Sequence, residues 1–338
     1  MIDNNKHNGM LPLVSIVIPV YNGAGYLSEC VESCLGQSYP NLEIVVIDDG
    51  STDDSRDVLQ PYQKKIVYHY QENAGLAGAR NTGHRIAKGK YIAWLDADDI
   101  AHPERILLQA LYLEKHEEVV LVCTNFSAFD EMGKKYDDYA TQNYSQLQVP
   151  EGIREILPEI EEINSGSYHG VNCTIASKKI FSGDGRHKLI WGNFIHPPTI
   201  MMRKSAYRKA GELKRNIPTQ EDWEYFFRIS KYGRIAWIDY PLLKYRLHSQ
   251  QMSSTSNAVK NAKGIVSVFE DMLKEEQAYA KDNEREVRKK LGRFCAGAAY
   301  TLIEAGKRSE ALVYLKKSFR CNPLMLINYK LVVKWIFF

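Results

Sequence analysis

The sequence has no apolar run long enough to cross a membrane. Its first such run, Val14–Val20, ends at Tyr21-Asn22, and the tail Leu324–Phe338 has 15 residues that include Lys330 and Lys334. A spanning helix needs roughly 20 apolar residues, so neither run is expected to span and the tail can at most lie on a surface. Met1–Met10 is polar and unlike a signal peptide. Six cysteines (Cys30, Cys34, Cys123, Cys173, Cys295, Cys321) form no CxxC pair, which excludes the usual zinc and disulfide frameworks and points to a reducing compartment, hence a cytoplasmic location. Neither G-x-G-x-x-G nor G-x-x-x-x-G-K-[ST] occurs, removing the common dinucleotide and P-loop readings. Charge of one sign is also missing overall. The net charge of +3 is uninformative by itself, and no nucleic-acid partner is expected.

What is present is uneven. Apolar residues at 44% and charged residues at 25% are ordinary for a globular chain. Residues 251–338 hold 16 Lys and Arg against 9 Asp and Glu, a balance of +7, so the first 250 stand at −4. A basic segment of this kind suits an anionic neighbour and equally a solvated helical face.

The first hundred residues alternate strand and helix patterns. Val14–Val20, Leu42–Ile47, Ile66–Tyr70 and Tyr91–Leu95 have strand length, and helices are expected at Tyr26–Gln37, Gly78–Ala87 and Pro103–Lys115, the last with Pro at its first turn. Val119–Phe126 is a further strand, Thr199–Met202 a short one, and Asp222–Lys231 a helix. Arg234–Ile238 and Leu242–Tyr245 are extended, and the chain beyond about Ser256 is helical. Alternation predicts a mostly parallel sheet covered on both faces, with ligands at the carboxyl ends of its strands. The stretch Asp130–His196 is looser and contains the polar, Gly-rich Asn164-Ser165-Gly166-Ser167; it reads as an insertion or an acceptor-side elaboration. Gly306, Ala311, Leu315 and Pro323 have tetratricopeptide spacing, which a simple helical hairpin would also produce.

Two acidic clusters follow strands. Asp48-Asp49-Gly50-Ser51-Thr52-Asp53 follows the second and Asp96-Ala97-Asp98-Asp99 the fourth. The first can be an Asp-Gly turn before a helix, or carboxylates accepting hydrogen bonds from a nucleobase or ribose. In the second, three carboxylates in four residues repel unless a cation lies among them. Oxygen-rich ligands favour Mn2+ or Mg2+ over zinc. Asn73–Asn81 is Gly-rich and opens a helix, with Arg80 either an anion or base contact or a surface residue.

The segments Val14–Asn22, Val46–Asp53, Ala79-Arg80-Asn81 and Leu95–Asp99 resemble glycosyltransferase family 2 in order and spacing, over roughly residues 12–250. The resemblance implies a GT-A-type, Rossmann-like sheet flanked by helices. Residues 12–125 would form the nucleotide-sugar half and 126–250 the acceptor half, with a helical appendage at 257–338. It also implies inverting transfer from a nucleotide-diphosphate sugar, usually UDP-linked, with a divalent cation. Carried over by position, Pro19, Tyr21 and Asp49 line the base and ribose pocket, Asp48 supports them and Arg80 lies near the base. Asp98 is the expected metal ligand, with Asp96 and Asp99 at ribose or metal-bound water. Gln220-Glu221-Asp222-Trp223 resembles the motif whose Asp is the general base, and Tyr245-Arg246-Leu247-His248 the motif whose His approaches metal or diphosphate. His196–Arg203 resembles a segment beside the acceptor site. The implied acceptor is a glycan or lipid-linked hydroxyl in bacterial surface polysaccharide assembly. In the tail itself, Trp335, Phe337 and Phe338 beside Lys330 and Lys334 suit peripheral docking on a membrane, and equally closure of a core against the preceding helical hairpin. Two rivals remain: a nucleotidyltransferase, disfavoured because Val20–Gly25 has no Lys or Arg, and a non-catalytic nucleotide-sugar-binding scaffold.

Overall fold

The computed structural model describes residues 11–163, 166–168, 171–173, 178–217, 219–249, 251 and 257–337; the polar start Met1–Met10, Asn164-Ser165 and Phe338 lie outside them. The chain divides into two compact units, 1–186 with 194–213 and 228–247, and 187–193 with 214–227 and 248–338.

The first unit holds the sheet. Its strands in chain order are β1 (Val14–Val20), β2 (Leu42–Asp48), β3 (Val67–Tyr70), β4 (Tyr91–Trp94), β5 (Ile100–Ala101), β6 (Val119–Asp130), β7 (Lys135–Tyr136), β8 (Glu159–Ile163), β9 (Gly166–Tyr168), β10 (Val171–Cys173), β11 (Lys178–Gly183), β12 (Met201–Arg203) and β13 (Arg234–Leu247). Among the described residues the sheet runs β3-β2-β1-β4-β12-β6-β13-β11-β8, with β5 on β13, β7 on β6, and β9 and β10 as a separate hairpin. β1 pairs in parallel with β2 and β4, and β6 with β13. β12 is antiparallel to both β4 and β6, so β4 and β6 point the same way. All seven residues of β1 are buried, as expected of a strand covered on both faces.

Sequence and structure differ mainly at element ends. The helix after β3 begins at Gly75, three residues early, because Gly75 takes a φ of +75° that opens it. The helix expected from Pro103 spans Arg105–Lys115, with Glu104 rather than Pro103 at the boundary. The two extended stretches near residue 240 are one strand, β13, whose register slips on both sides of Pro241, a residue with no N–H for the ladder. β6 continues to Asp130 because β13 pairs with it to the end. Part of Asp130–His196 is sheet, since β11 adds to β13 and β8 to β11. Gly83 lets the helix Gly75–Ile86 lie close on β1: a Cβ there would fall 2.3 Å from Val17 Cγ1.

The second unit is mostly helical, with long helices at Ala258–Glu275, Glu284–Glu304, Arg308–Cys321 and Leu326–Phe337. Gly306 ends the second of these with a φ of +71°; its N–H bonds to Ile303 O and that of Lys307 to Leu302 O, a Schellman turn. Ala311 and Leu315 are buried against Leu302 and Leu331, so the residues at tetratricopeptide spacing form a packed hairpin. The last helix has two faces. Asn328 and Leu331 are buried and Trp335 Nε1 bonds to Arg308 O, whereas Leu326, Tyr329 and Val333 are exposed, as is Leu324 in the turn before it. Among the described residues, no helix is long and apolar enough to cross a membrane.

Candidate functional site

The carboxyl edge of the sheet gathers the acidic motifs of the first unit. β1 and β2 end in register at Val20 and Asp48, and the loops beyond are tied together. Asn22, at φ +53°, donates its N–H to Ser51 Oγ (3.0 Å) and accepts from Thr52 N (2.8 Å). Asp53 then accepts from Ala24 N (3.0 Å), fixing the helix Ala24–Leu35.

Within this frame Asp48 is buried and doubly anchored, by Ser51 N at 2.8 Å and Tyr68 OH at 2.7 Å. Asp49 is held by one oxygen only: Oδ1 accepts from Gln71 Nε2 (2.6 Å) and Ala74 N (2.8 Å). Among the described residues its Oδ2 has no such partner, which leaves an oriented acceptor at the strand end. Pro19 lies within β1, buried, and Tyr21 is 56% exposed at its end. A carboxylate fixed by one oxygen beside an exposed aromatic ring suits a base or ribose carrying N–H and O–H donors.

The second cluster turns sharply after β4, Asp99 N bonding to Asp96 O at 3.1 Å. Arg80 is not a surface residue: it is 1% exposed, stacked over the Trp94 indole at 4.4 Å, and donates Nη2 to Asp96 Oδ1 at 2.9 Å. It therefore sets the orientation of Asp96 from behind. Burial and then Asp98 and Asp96 push the Asp99 carboxyl well above the usual range, and burial and Asp98 raise Asp96 against the pull of Arg80. Asp99 Oδ1 accepts from Arg246 N (3.1 Å), while among the described residues its buried Oδ2 has no hydrogen-bond partner. Arg246, at the end of β13, also donates Nε to Asp98 O (3.0 Å), pairs with Glu29, and lies over Tyr26 and Phe129. In this motif the residue that meets the acidic turn is Arg246, which the resemblance does not single out as it does His248. An Arg at a strand end has no spacing signal, and the pairing of β13 with β5, the two-residue strand directly after the turn, brings it to the acidic residues.

Among the described residues no three His, Cys, Asp or Glu side chains converge into a metal cage. The turn offers a smaller set, half-buried Asp98 and the unsatisfied Oδ2 of Asp99. That set fits Mg2+ or Mn2+ completed by substrate phosphates and water, and does not fit structural zinc.

Beyond the acidic turn the same edge carries aromatics. His196 stacks on Phe126 at 4.0 Å, meets Tyr245 edge-on at 4.7 Å, and shares a 3.0 Å hydrogen bond between Nδ1 and Tyr144 OH. Burial, then Arg80 and Arg105, pushes its pKa down to about 3, so the ring is neutral.

Asp222 and His248 belong to the second unit. Asp222 is in the first turn of the helix Glu221–Ile229, where its Oδ1 accepts from Trp223 N at 2.8 Å. Gln220 precedes it at φ +68°, a conformation rare outside glycine. Trp223 is locked by Nε1 on Leu189 O (2.7 Å), and buried Glu224 pairs with Lys214 at 2.9 Å. His248 directly follows β13.

An open, mostly parallel α/β sheet with both acidic motifs on its carboxyl edge is the arrangement of a GT-A-type transferase. Residues 15–211, more than half of the chain, match the model of Glycosyl transferase family 2, and the chain belongs to that family. It is 30% identical over 278 residues to an uncharacterised glycosyltransferase of Rickettsia prowazekii, covering 80% of this chain and 76% of that one. With glycosyltransferase GlyG of Streptococcus pneumoniae it shares 37% identity over 267 residues, covering 77% and 79%. Among solved structures, S. aureus TarS 1-349 aligns with a TM-score of 0.58 at 16% identity, covering 96% of this chain and 88% of that one. Its complex with UDP-GlcNAc gives 0.53 at 15%, covering 89% and 88%. The Pyrobaculum calidifontis mannosyltransferase PcManGT with GDP-Man and Mn2+ gives 0.52 at 15%, covering 97% and 88%. At these identities the likeness is one of fold.

Proposed function

We propose that this glycosyltransferase inverts configuration at the anomeric carbon, transferring a sugar from a UDP-linked donor to an acceptor hydroxyl in assembly of a bacterial surface glycan. The catalytic domain of this reading is 12–250. The observation that carries it is Asp49, fixed through Oδ1 and leaving Oδ2 to accept from base or ribose at the strand edge. Pro19, Tyr21 and Asp48 complete the pocket, and Arg80 orients Asp96. TarS in complex with UDP-GlcNAc supports a UDP-sugar, and the Mn2+ in PcManGT supports a divalent ion.

Transfer breaks the bond from the anomeric carbon to the diphosphate oxygen and forms one to the acceptor oxygen, through an oxocarbenium-like transition state of the kind met in glycoside hydrolysis. Asp98, with Asp99, would hold Mn2+ or Mg2+, which when bound neutralises charge developing on the diphosphate. His248 is assigned to that ion or the diphosphate. Asp222 takes the acceptor proton as general base. The nucleoside diphosphate leaves. Docking of the exposed face of the last helix on an anionic, cytoplasmic leaflet would bring the enzyme to a lipid-linked acceptor; the exposed apolar residues and the +7 balance of residues 251–338 support this.

The test is donor hydrolysis by the purified protein across UDP-, GDP- and other nucleotide sugars, with Mn2+ or Mg2+ against chelator. Metal-dependent turnover of one UDP-sugar is expected. Selective turnover of a GDP-sugar would overturn the donor assignment, and undiminished turnover in chelator the metal assignment.

A further inference from the structure

The opposite edge of the same sheet holds a basic cavity that the transfer reaction does not use. It has a volume of about 450 Å³ and lies where β4 begins and β12 ends, lined by Lys88, Lys90, Arg203, Lys204, Ser205 and Arg208. Five of those six side chains are basic and none is acidic. β4 runs from this cavity to the acidic turn. From Lys90 to Asp96 is about 20 Å at 3.3 Å per residue, so the two sites are separate.

The cations differ in how they are held. Arg203 is fixed by neutral acceptors, with Nε on Val119 O (2.7 Å), Nη2 on His116 O (2.7 Å) and Leu113 O, and Nη1 on Tyr91 OH (3.3 Å). Lys204 Nζ bonds to Ala87 O. Neither faces a carboxylate within ion-pairing distance among the described residues, so the charge of both is positioned but not neutralised. Lys90 is paired with Glu114 at 2.5 Å. The nearby Glu43 carboxylate accepts from Ser15 Oγ, Lys88 N and Gly89 N. Lys88 and Arg208 are exposed and, among the described residues, make no ion pair. Lys204 feels the crowding: burial and then Arg208 push its pKa down, with Glu43 opposing.

Two pre-positioned cations, two exposed ones without an ion pair among the described residues, and a hydroxyl around one cavity make a receptor for a multiply charged oxyanion, since ammonium and guanidinium groups bind phosphate oxygens with charge-assisted hydrogen bonds. We propose that this cavity binds a phosphate-bearing group, as a phosphate monoester or diphosphate, away from the transfer site. The source is either a free phosphate compound or a lipid headgroup presented by a membrane.

Full-length protein saturated with UDP, so that the transfer site is filled, is titrated with inorganic phosphate and pyrophosphate by calorimetry. With Leu326 and Val333 replaced by serine, so that the last helix does not carry the binding, it is also cosedimented with vesicles of phosphatidic acid in phosphatidylcholine against phosphatidylcholine alone. Saturable, salt-sensitive binding is expected in one arm. It should weaken by about tenfold or more in the double variant Lys88→Glu, Arg208→Glu, and by less in Lys88→Gln, Arg208→Gln. Neither side chain is bonded within the fold, so melting temperature and donor turnover should be unchanged. Loss of calorimetric binding identifies a free ligand; loss of vesicle binding alone identifies a headgroup. Binding undiminished in both variants, or no binding in either arm, would overturn the proposal.

Discussion

At the scale of single residues, the acidic turn sets the sharpest expectations. Asp98→Ala should abolish metal-stimulated donor binding and lower turnover by roughly 10²–10³-fold, the range for losing one group that stabilises transition-state charge. UDP-sugar affinity measured with and without Mn2+ checks it; equal stimulation in variant and wild type would remove Asp98 from the metal. Two histidines set a pH dependence. His84 accepts a hydrogen bond from Trp94 Nε1 at Nε2 (2.6 Å), so its proton is on Nδ1, and burial and Arg80 lower its pKa to about 3, as burial does for His196. An unfolded chain protonates both near pH 6.5 while the folded chain does not. The stability they contribute is therefore full above pH 6.5 and lost as pH falls from there toward 3, by up to about 1.4 kcal/mol per pH unit for each ring. Urea midpoints at pH 7.5 and pH 5 measure it, and equal midpoints would contradict it.

At the scale of elements, the helix Gly75–Ile86 depends on one missing methyl. Gly83→Ala places a Cβ 2.3 Å from Val17 Cγ1 and also crowds Ile47, in a β1–β2 layer with no free volume, and should cost about 1–3 kcal/mol. A lowered urea midpoint with unchanged slope is the expected record. Asp222→Asn tests the start of another helix. Its amide can still accept from Trp223 N, so the helix should persist and donor affinity hold while turnover falls roughly 10²–10⁴-fold, as for loss of a general base. Loss of donor binding with turnover per bound donor retained would rule Asp222 out as base. Elements were legible where burial writes a simple pattern: β1 and β2 are continuous apolar runs, and both acidic clusters follow strands on one edge. What stayed hidden depended on pairing between distant segments. The extension of β6 to Asp130 needs β13, and the strands β8 and β11 have too little apolar content to announce themselves without the neighbour they complete. Arg80 was legible as a motif residue but not as a buried one, since nothing local marks the Trp94 face that receives it.

For the whole molecule, the proposed docking rests on the last helix. Its inner face is committed to the second unit through Leu331, Asn328 and Trp335, so deleting it should destabilise that unit. Its outer face is less committed: Leu326 and Val333 are exposed, while Tyr329 donates its OH to Pro323 O (3.0 Å) and meets Phe319 edge-on. Replacing Leu326 and Val333 by serine should leave melting temperature within about 2 °C, because exposed side chains contribute little to stability. The same variant should lose cosedimentation with anionic phosphatidylglycerol vesicles. Wild-type protein that never sediments with such vesicles would dismiss the docking.

The position of β13 has a consequence for the order in which the protein is made. A ribosome delivers β1 to β6 first, yet β13 belongs between β6 and β11, and Arg246 reaches back 148 residues to the turn at Asp98. Until residue 247 has emerged, the nascent sheet ends on the long, apolar β6 with an unfilled row of backbone donors and acceptors, the kind of edge that recruits foreign strands. The acidic turn remains unclamped for the same interval. Synthesis is thus a period in which the growing chain needs shielding, and a gene fragment that stops before β13 encodes an aggregating polypeptide rather than a smaller donor-binding domain.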